Sequence, residues 1–504
     1  VLTAAMPRSG GGYVVISRIL GPFWGFVGAW LEFLSIAWSF GIIAVAVFEG
    51  WYFIFGPMAF GIGYSTPAGI PVDSFLFAVG LVLVILFTAI GVFGVKLTGI
   101  LLQVMFWIPA VLTFYIFGLL GSATASTVSD GLFNVAGVRP DAYVSAATNT
   151  TLLGADAIQN QAAGVGGYWG AVSTAMIGAY FAYIGYAAST FVAGEVKQAN
   201  KSLPKAIIIA SLLIIALYVF ISAAAAAALK GVAATVIDGK EYSLLSAWSY
   251  LDHNLGVLGE PGFPPALTLW TTTVAGLSAS GLGLGGTNVI LVFFGALWVA
   301  NDIPPFILTA SRILFAMSFD RVLPTPLASV NDRFHSPVNA VLATGVVAIL
   351  GCVSESGLFN VGGSLNAEGN RFTSAVLGNA GGVVTTDLLD AVFFTLFTLS
   401  LLVLPLRASK KQIFDTAPYK PGGKWGMVLL GAAGFVANLV LNGFLLFAPA
   451  GSFALAAPKA DLLVDLWALW FTIILAVIGI VLYMAHRMRP GVNYATIFAQ
   501  IPPE

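Results

Sequence analysis

Ten long apolar runs constrain this chain more than anything else in it. They lie at about 21 to 48, 75 to 94, 99 to 121, 167 to 193, 205 to 229, 286 to 318, 337 to 354, 388 to 406, 425 to 447 and 462 to 485. Each is long enough to cross about 30 Å of hydrocarbon, which takes about 20 helical residues. With 59% hydrophobic and only 9% charged residues, the chain falls far from the soluble class, where about 25% of residues are charged. No water is available inside a bilayer to satisfy the backbone, so the runs must be helices or closed barrel strands. They show no apolar–polar alternation, which rules out barrel strands. An all-α membrane protein of about ten spans is expected. Segment 267 to 285 is apolar enough to dip into the membrane but disturbs the parity of the spans, and it reads as an outer loop or re-entrant piece.

Orientation follows from the basic residues. Of the 21 Lys and Arg, all but Arg139, Lys230, Lys240, Arg371 and Lys459 fall on one side of the spans. Under the positive-inside rule that side is cytoplasmic. A multi-pass protein of the cell membrane with a cytoplasmic C-terminus is expected, as a single domain over 1–504 with long outer loops at 122 to 166, 230 to 285 and 355 to 386.

Several function classes drop out. The net charge of −1 gives no reason to expect nucleic acid, and the lone Cys352 excludes an intrachain disulfide. His253, His335 and His486 are far apart and in polar stretches, so neither a metal site nor an acid–base constellation emerges. No cofactor and no enzymatic activity are expected.

Three polar-marked blocks interrupt the apolar pattern. Pro7 to Tyr13, PRSGGGY, ends one helix and starts another, and Gly21, Gly25 and Ala29 then repeat at four-residue spacing as a small-residue packing face. Segment 178 to 193, GAYFAYIGYAASTFVA, precedes GEVKQANKSLPKAI, with Gly185 at mid-span among aromatics. A glycine there either serves as a packing notch or breaks the helix, freeing N–H and C=O groups for the charged ends of a substrate. The third block, Phe306 to Val341, carries Arg312, Asp320 and Arg321 at the inner membrane face, with Pro324, Pro326 and Pro337 in the loop that follows.

In this order and spacing, PRSGGGY, FAYIGY with GEVKQANKSLPKAI, and SRILFAMSFDRVLP resemble the amino acid/polyamine/organocation (APC) permeases. The resemblance implies an APC/LeuT-type five-plus-five inverted-repeat bundle, with these spans as family helices three to twelve. Val1 to Ala5 would be the last turn of helix two. The first helix, which grips the substrate carboxylate in the family, would be absent, so this chain alone is expected to be inactive. The broken sixth helix implies a substrate site at Phe181, Ala182, Tyr183, Ile184, Gly185 and Tyr186.

The sequence departs from the family in places. Gly185 is followed by Tyr186 and Ala187 rather than by an aromatic and then an acid, and Gln198–Ala199 replaces Asn–Pro. Pro109 stands where many relatives carry a fifth-helix Lys. Asp302, about fifteen residues before the inner end of the eighth helix, lies near the bilayer midplane at about 1.5 Å per residue. A carboxylate at that depth must be paired, protonated or ion-bound, unless it opens into a watery outer vestibule. Pro304 and Pro305 free backbone carbonyls beside it, and Phe306, one turn on, shares its face and could line the substrate cavity. Glu32 is the other deep acid, suited to a proton, a cationic substrate or a helix cap. Glu49, Asp387 and Asp390 read as solvated span ends. GLGLGG at 281–286 lacks the strand a nucleotide loop needs, and Asn149 begins a glycosylation sequon.

The expected function is secondary active transport of a small molecule, an amino acid or related amine, by alternating access coupled to H+ or Na+. A uniporter or exchanger on the same scaffold, or a non-transporting sensor, are the alternatives.

Overall fold

The computed structural model describes residues 2–49, 70–160, 172, 175–176, 178–183, 185, 188–267, 269–278, 287–358, 379–447, 467–488 and 492–499. Helix accounts for 78% of it, which bears out the all-α membrane fold.

After a short α1 (Leu2–Ala5) and α2 (Gly11–Ile19), the long α3 (Pro22–Glu49) runs up the centre of the bundle. Its side chains are mostly apolar and buried nearly all round, as expected of a helix enclosed by protein. Helices α4 (Val72–Val92) and α5 (Val95–Gly121) follow, then α6 (Ala125–Ala136) and α7 (Asp141–Ala147). Next come α8 (Ala188–Phe191), α9 (Ala199–Leu229), a hairpin of β1 (Thr235–Ile237) and β2 (Lys240–Tyr242), α10 (Leu244–Tyr250) and α11 (Leu269–Leu277). The main helices after these are α12 (Thr287–Ala300), α13 (Ile303–Phe319), α14 (Val338–Glu355), α15 (Asn379–Val403), α16 (Gly423–Phe447), α17 (Trp467–Arg487) and α18 (Tyr494–Ala499).

Helices α13, α14 and α15 pack directly on α3. Contact is closest where α3 crosses α14: a Cβ on Gly41 would lie 1.8 Å from the Ala348 carbonyl oxygen, and one on Gly351 would lie 2.0 Å from that of Trp38. The indole N–H of Trp38 then donates to Ser354 Oγ at 2.9 Å, tying the same two helices. Helices α5, α9 and α16 lie outside, and their Phe114, Leu213 and Leu429 point outward as lipid-facing side chains do.

Eight of the ten expected spans are single helices long and apolar enough to cross a membrane. The other two, at 167 to 193 and 286 to 318, are the ones with a break in mid-course. Boundaries differ elsewhere too. Helix α15 begins at Asn379 rather than 388, and α17 runs to Arg487, taking in His486, which is buried rather than set in a polar stretch.

The connections between spans are more structured than their composition implies. Helices α6, α7, α10 and α11 and the hairpin share a second core that includes Leu132, Tyr143, Leu244, Leu251 and Leu277. The hairpin turns at Asp238–Gly239, where both residues have positive φ (52° and 77°), the backbone that an Asp-Gly turn supplies. Residues 269–277, expected as loop or re-entrant chain, are the helix α11 packed on α6, with Gly131 and Gly276 in backbone contact. The GLGLGG segment lies outside the described residues.

Candidate substrate and ion site

The first break lies at the expected glycine. Residues 178–181 are helical. The ladder then tightens, with Ala182 N–H bonding to Gly178 C=O at 3.2 Å and Tyr183 N–H to Tyr180 C=O at 2.8 Å. Gly185 has φ 96°, where an L side chain is strained. Its carbonyl accepts from Ala188 N–H at 2.8 Å as α8 begins. Of the expected substrate residues, Phe181, Tyr183 and Gly185 are half-buried and Ala182 is exposed; Ile184 and Tyr186 lie outside the described residues.

Phe306 faces this break. It is buried on α13, and a Cβ on Gly185 would lie 2.9 Å from its Cε1. One turn before it, α12 stops at Ala300 and α13 starts at Ile303, leaving Asn301 and Asp302 in a turn. Pro304 and Pro305 carry no N–H, so the peptide oxygens of Ala300 and Asn301 lack their usual helical donors. Asn301 Oδ1 is buried with no hydrogen-bond partner. Asp302 follows it as the N-cap residue of α13. Oxygen-only ligands of this kind suit a hard cation or a proton.

One side chain that the sequence reading missed connects the two breaks. Tyr218 Oη donates to the Ala182 carbonyl at 2.9 Å, its ring meets that of Tyr183 edge-on at 5.2 Å, and Asp302 is among its electrostatic neighbours. Its signal was the one tyrosine in the mostly aliphatic α9.

A second acidic cluster lies deeper. Glu32 on α3 and Asp390 on α15 are both buried and act on each other electrostatically. The Tyr180 hydroxyl, just before the first break, donates to Asp390 Oδ2. Asp387, one turn away, is fully buried, and neither of its carboxylate oxygens has a hydrogen-bond partner. The expectation that Asp387 and Asp390 are solvated is therefore overturned: α15 starts well before 388, which moves both acids into the protein interior.

The three motif blocks converge at the basic end of the bundle. Arg18 makes a two-pronged ion pair with Asp320, one prong at 2.9 Å, and both residues are buried. Tyr13 Oη donates to the same carboxylate at 2.8 Å. Burial and the neighbouring Asp320 charge push the Tyr13 phenol well above its ordinary range, so it stays a donor. Arg312 Nε bonds Glu195 Oε1 at 2.9 Å, and Gly10 N–H bonds the Phe191 carbonyl at 2.9 Å. The PRSGGGY turn is thereby fastened to the end of the broken sixth helix and to α13.

A family model described as "Amino acid permease" matches residues 1–483. The chain belongs to the amino acid permease family. Among curated relatives, an uncharacterized transporter of Mycobacterium tuberculosis is 26% identical over 358 residues, which is 70% of this chain and 62% of that protein. The branched-chain amino acid permease BcaP of Bacillus subtilis is 29% identical over 36% of this chain and 32% of its own length. A probable polyamine transporter of Arabidopsis thaliana is 26% identical over 44% of this chain and 36% of its own. The chain thus spans less than two thirds of the length of the relatives it matches. The permease family and these relatives are transporters, not enzymes.

Proposed function

We propose that the protein carries an amino acid or related amine across the cell membrane by alternating access, driven by an ion gradient. The observation that carries this reading is the break at Gly185 set against Phe306. Peptide dipoles released at mid-span can hold the charged backbone groups of an amino acid, while the phenyl ring bounds its side chain. The substrate residues are Phe181, Ala182, Tyr183, Ile184, Gly185 and Tyr186 with Phe306, and the acids offered to the driving ion are Asp302 and Glu32.

The five-plus-five inverted repeat is part of the same proposal, as is a cytoplasmic placement of the basic end and the C-terminus. Alternating access requires the loaded states to interconvert more readily than a partly loaded one. The Arg18–Asp320 and Arg312–Glu195 pairs are placed to hold the cytoplasmic end shut between those states.

The test is uptake of labelled leucine and labelled putrescine into liposomes holding the full-length permease, with the sodium and proton gradients imposed separately. Accumulation that follows one gradient supports the proposal. Binding without uptake indicates a sensor, and counterflow indifferent to both gradients indicates an exchanger.

A further inference from the structure

We infer that Glu32, Asp390 and Asp387 form a proton-binding site, distinct from Asp302, through which a proton gradient drives transport. The inference rests on the transport reading above and names its driving ion.

The placement comes first. Glu32 lies ten residues into α3, about 15 Å from its basic end, and Asp390 lies about 20 Å from the basic end of α15, so both are deep in the bundle. Glu32, Asp390 and Asp387 are each no more than 2% exposed. Three ionised carboxylates in that setting would need cations or many donors. The donors present are few. Asp390 has the Tyr180 hydroxyl, Glu32 Oε2 has no partner, and Asp387 has none on either oxygen.

Among the described residues no basic group offsets them. On the elements packed around α3 and α15, Arg18 and Arg312 are committed to Asp320 and Glu195 at the basic end. Asp73, Lys424, His486 and Arg487 lie in terminal turns of α4, α16 and α17, and Glu355 ends α14. None of these acts electrostatically on the three carboxyls, whose charged neighbours are one another. Carboxyl groups gathered in the protein interior with so few donors do not all ionise, so the cluster holds a proton. Among the described residues the three acids do not converge into a set that could hold a metal ion. The unpartnered Asp387 oxygens, one turn along the same helix face, give that proton a second place to go.

Tyr180 supplies the coupling. It sits on the half-helix that ends at Phe181, and its bond to Asp390 crosses from that half-helix to α15. When the half-helix moves to open one side, the bond is lost, and with it the donor that stabilises an ionised Asp390. Proton affinity therefore changes as the substrate site changes its opening. One carboxyl O–H bond forms as hydronium gives up its proton on one side of the membrane, and the reverse exchange with water occurs on the other. No other bond is made or broken.

The experiment pairs infrared spectroscopy with uptake, using full-length protein in liposomes. The wild type is expected to show the carbonyl stretch of a protonated carboxyl, shifting in D2O. Asp390→Asn and Glu32→Gln should each remove that band, whereas Asp302→Asn should keep it. An inward proton gradient should raise leucine or putrescine uptake at least tenfold in the wild type and leave it unchanged in Asp390→Asn. Should either acid variant fail to fold, Tyr180→Phe removes only one hydrogen bond and is expected to move both the band and the pH midpoint of uptake. A wild type without the band, a band and gradient response that survive in Asp390→Asn, or uptake that follows sodium alone, would overturn the proton site. A wild type that shows the band, loses it in Asp390→Asn and moves neither solute supports the site and instead refutes the transport reading.

Discussion

Gly185 presents its bare Cα to the ring of Phe306, so closely that a methyl group there would lie 2.9 Å from Phe306 Cε1. With φ at 96°, Gly185→Ala meets both backbone strain and a clash. The strain alone costs about 1–2 kcal/mol. The variant is expected to reach the membrane in normal amounts but to transport about tenfold or more slowly, because the unwound stretch must shift or re-coil. Initial uptake rates measured beside surface expression check this, and wild-type rates in Gly185→Ala would show that the break is incidental.

Asp302→Asn should abolish gradient-driven accumulation. The substitution keeps shape but removes the carboxylate beside the first break, which a proton or an amine entering the substrate site would meet. Unchanged accumulation ratios would dispose of the role given to Asp302.

How far the sequence foretold this site depends on what each residue signals locally. Gly185 and the Asp302–Pro304–Pro305 turn were legible because glycine, proline and a carboxylate are conspicuous inside apolar runs. Asp390 was not. The stretch NAGGVVTTD before 388 is too polar to register as a span, yet it is helical in α15 because its surroundings are protein, and hydropathy reports exposure to lipid rather than helix. The Arg18–Asp320 pair was equally hidden, since the partners are separated by most of the chain and each alone looks like part of a basic inner loop. The second core was read as loop on composition, although the Asp238–Gly239 dipeptide between Ile237 and Lys240 was available as a hairpin signal. Tyr218 shows the reverse case: the residue was plain to see, but only the fold brings its hydroxyl to Ala182.

The Arg18–Asp320 pair is buried on both sides, so removing one partner leaves the other charge without compensation. Arg18→Ala is expected to lower stability by about 3–5 kcal/mol. Tyr13→Phe, which deletes one hydrogen bond to a charged group, should cost about 1.5–3 kcal/mol. Thermal melting in detergent should therefore rank wild type above Tyr13→Phe above Arg18→Ala. An Arg18→Ala protein that melts with the wild type would mean the pair contributes nothing to holding the basic end together.

Glycines in this chain are not equivalent, and their contacts separate them. Gly351→Ala would put a methyl group 2.0 Å from the Trp38 carbonyl oxygen, against the backbone of α3, which cannot move aside as a flexible side chain can. Overpacking of this kind costs about 1–3 kcal/mol or more, and it also threatens the Trp38–Ser354 bond nearby. Gly118→Ala, in α5 with nothing within 4 Å of the new methyl, instead lowers the entropy of the unfolded chain and is expected to gain about 0.5–1 kcal/mol. Melting both variants in the same detergent gives opposite signs if α3 and α14 truly cross backbone to backbone, and equal shifts would show that the crossing is looser than these contacts require.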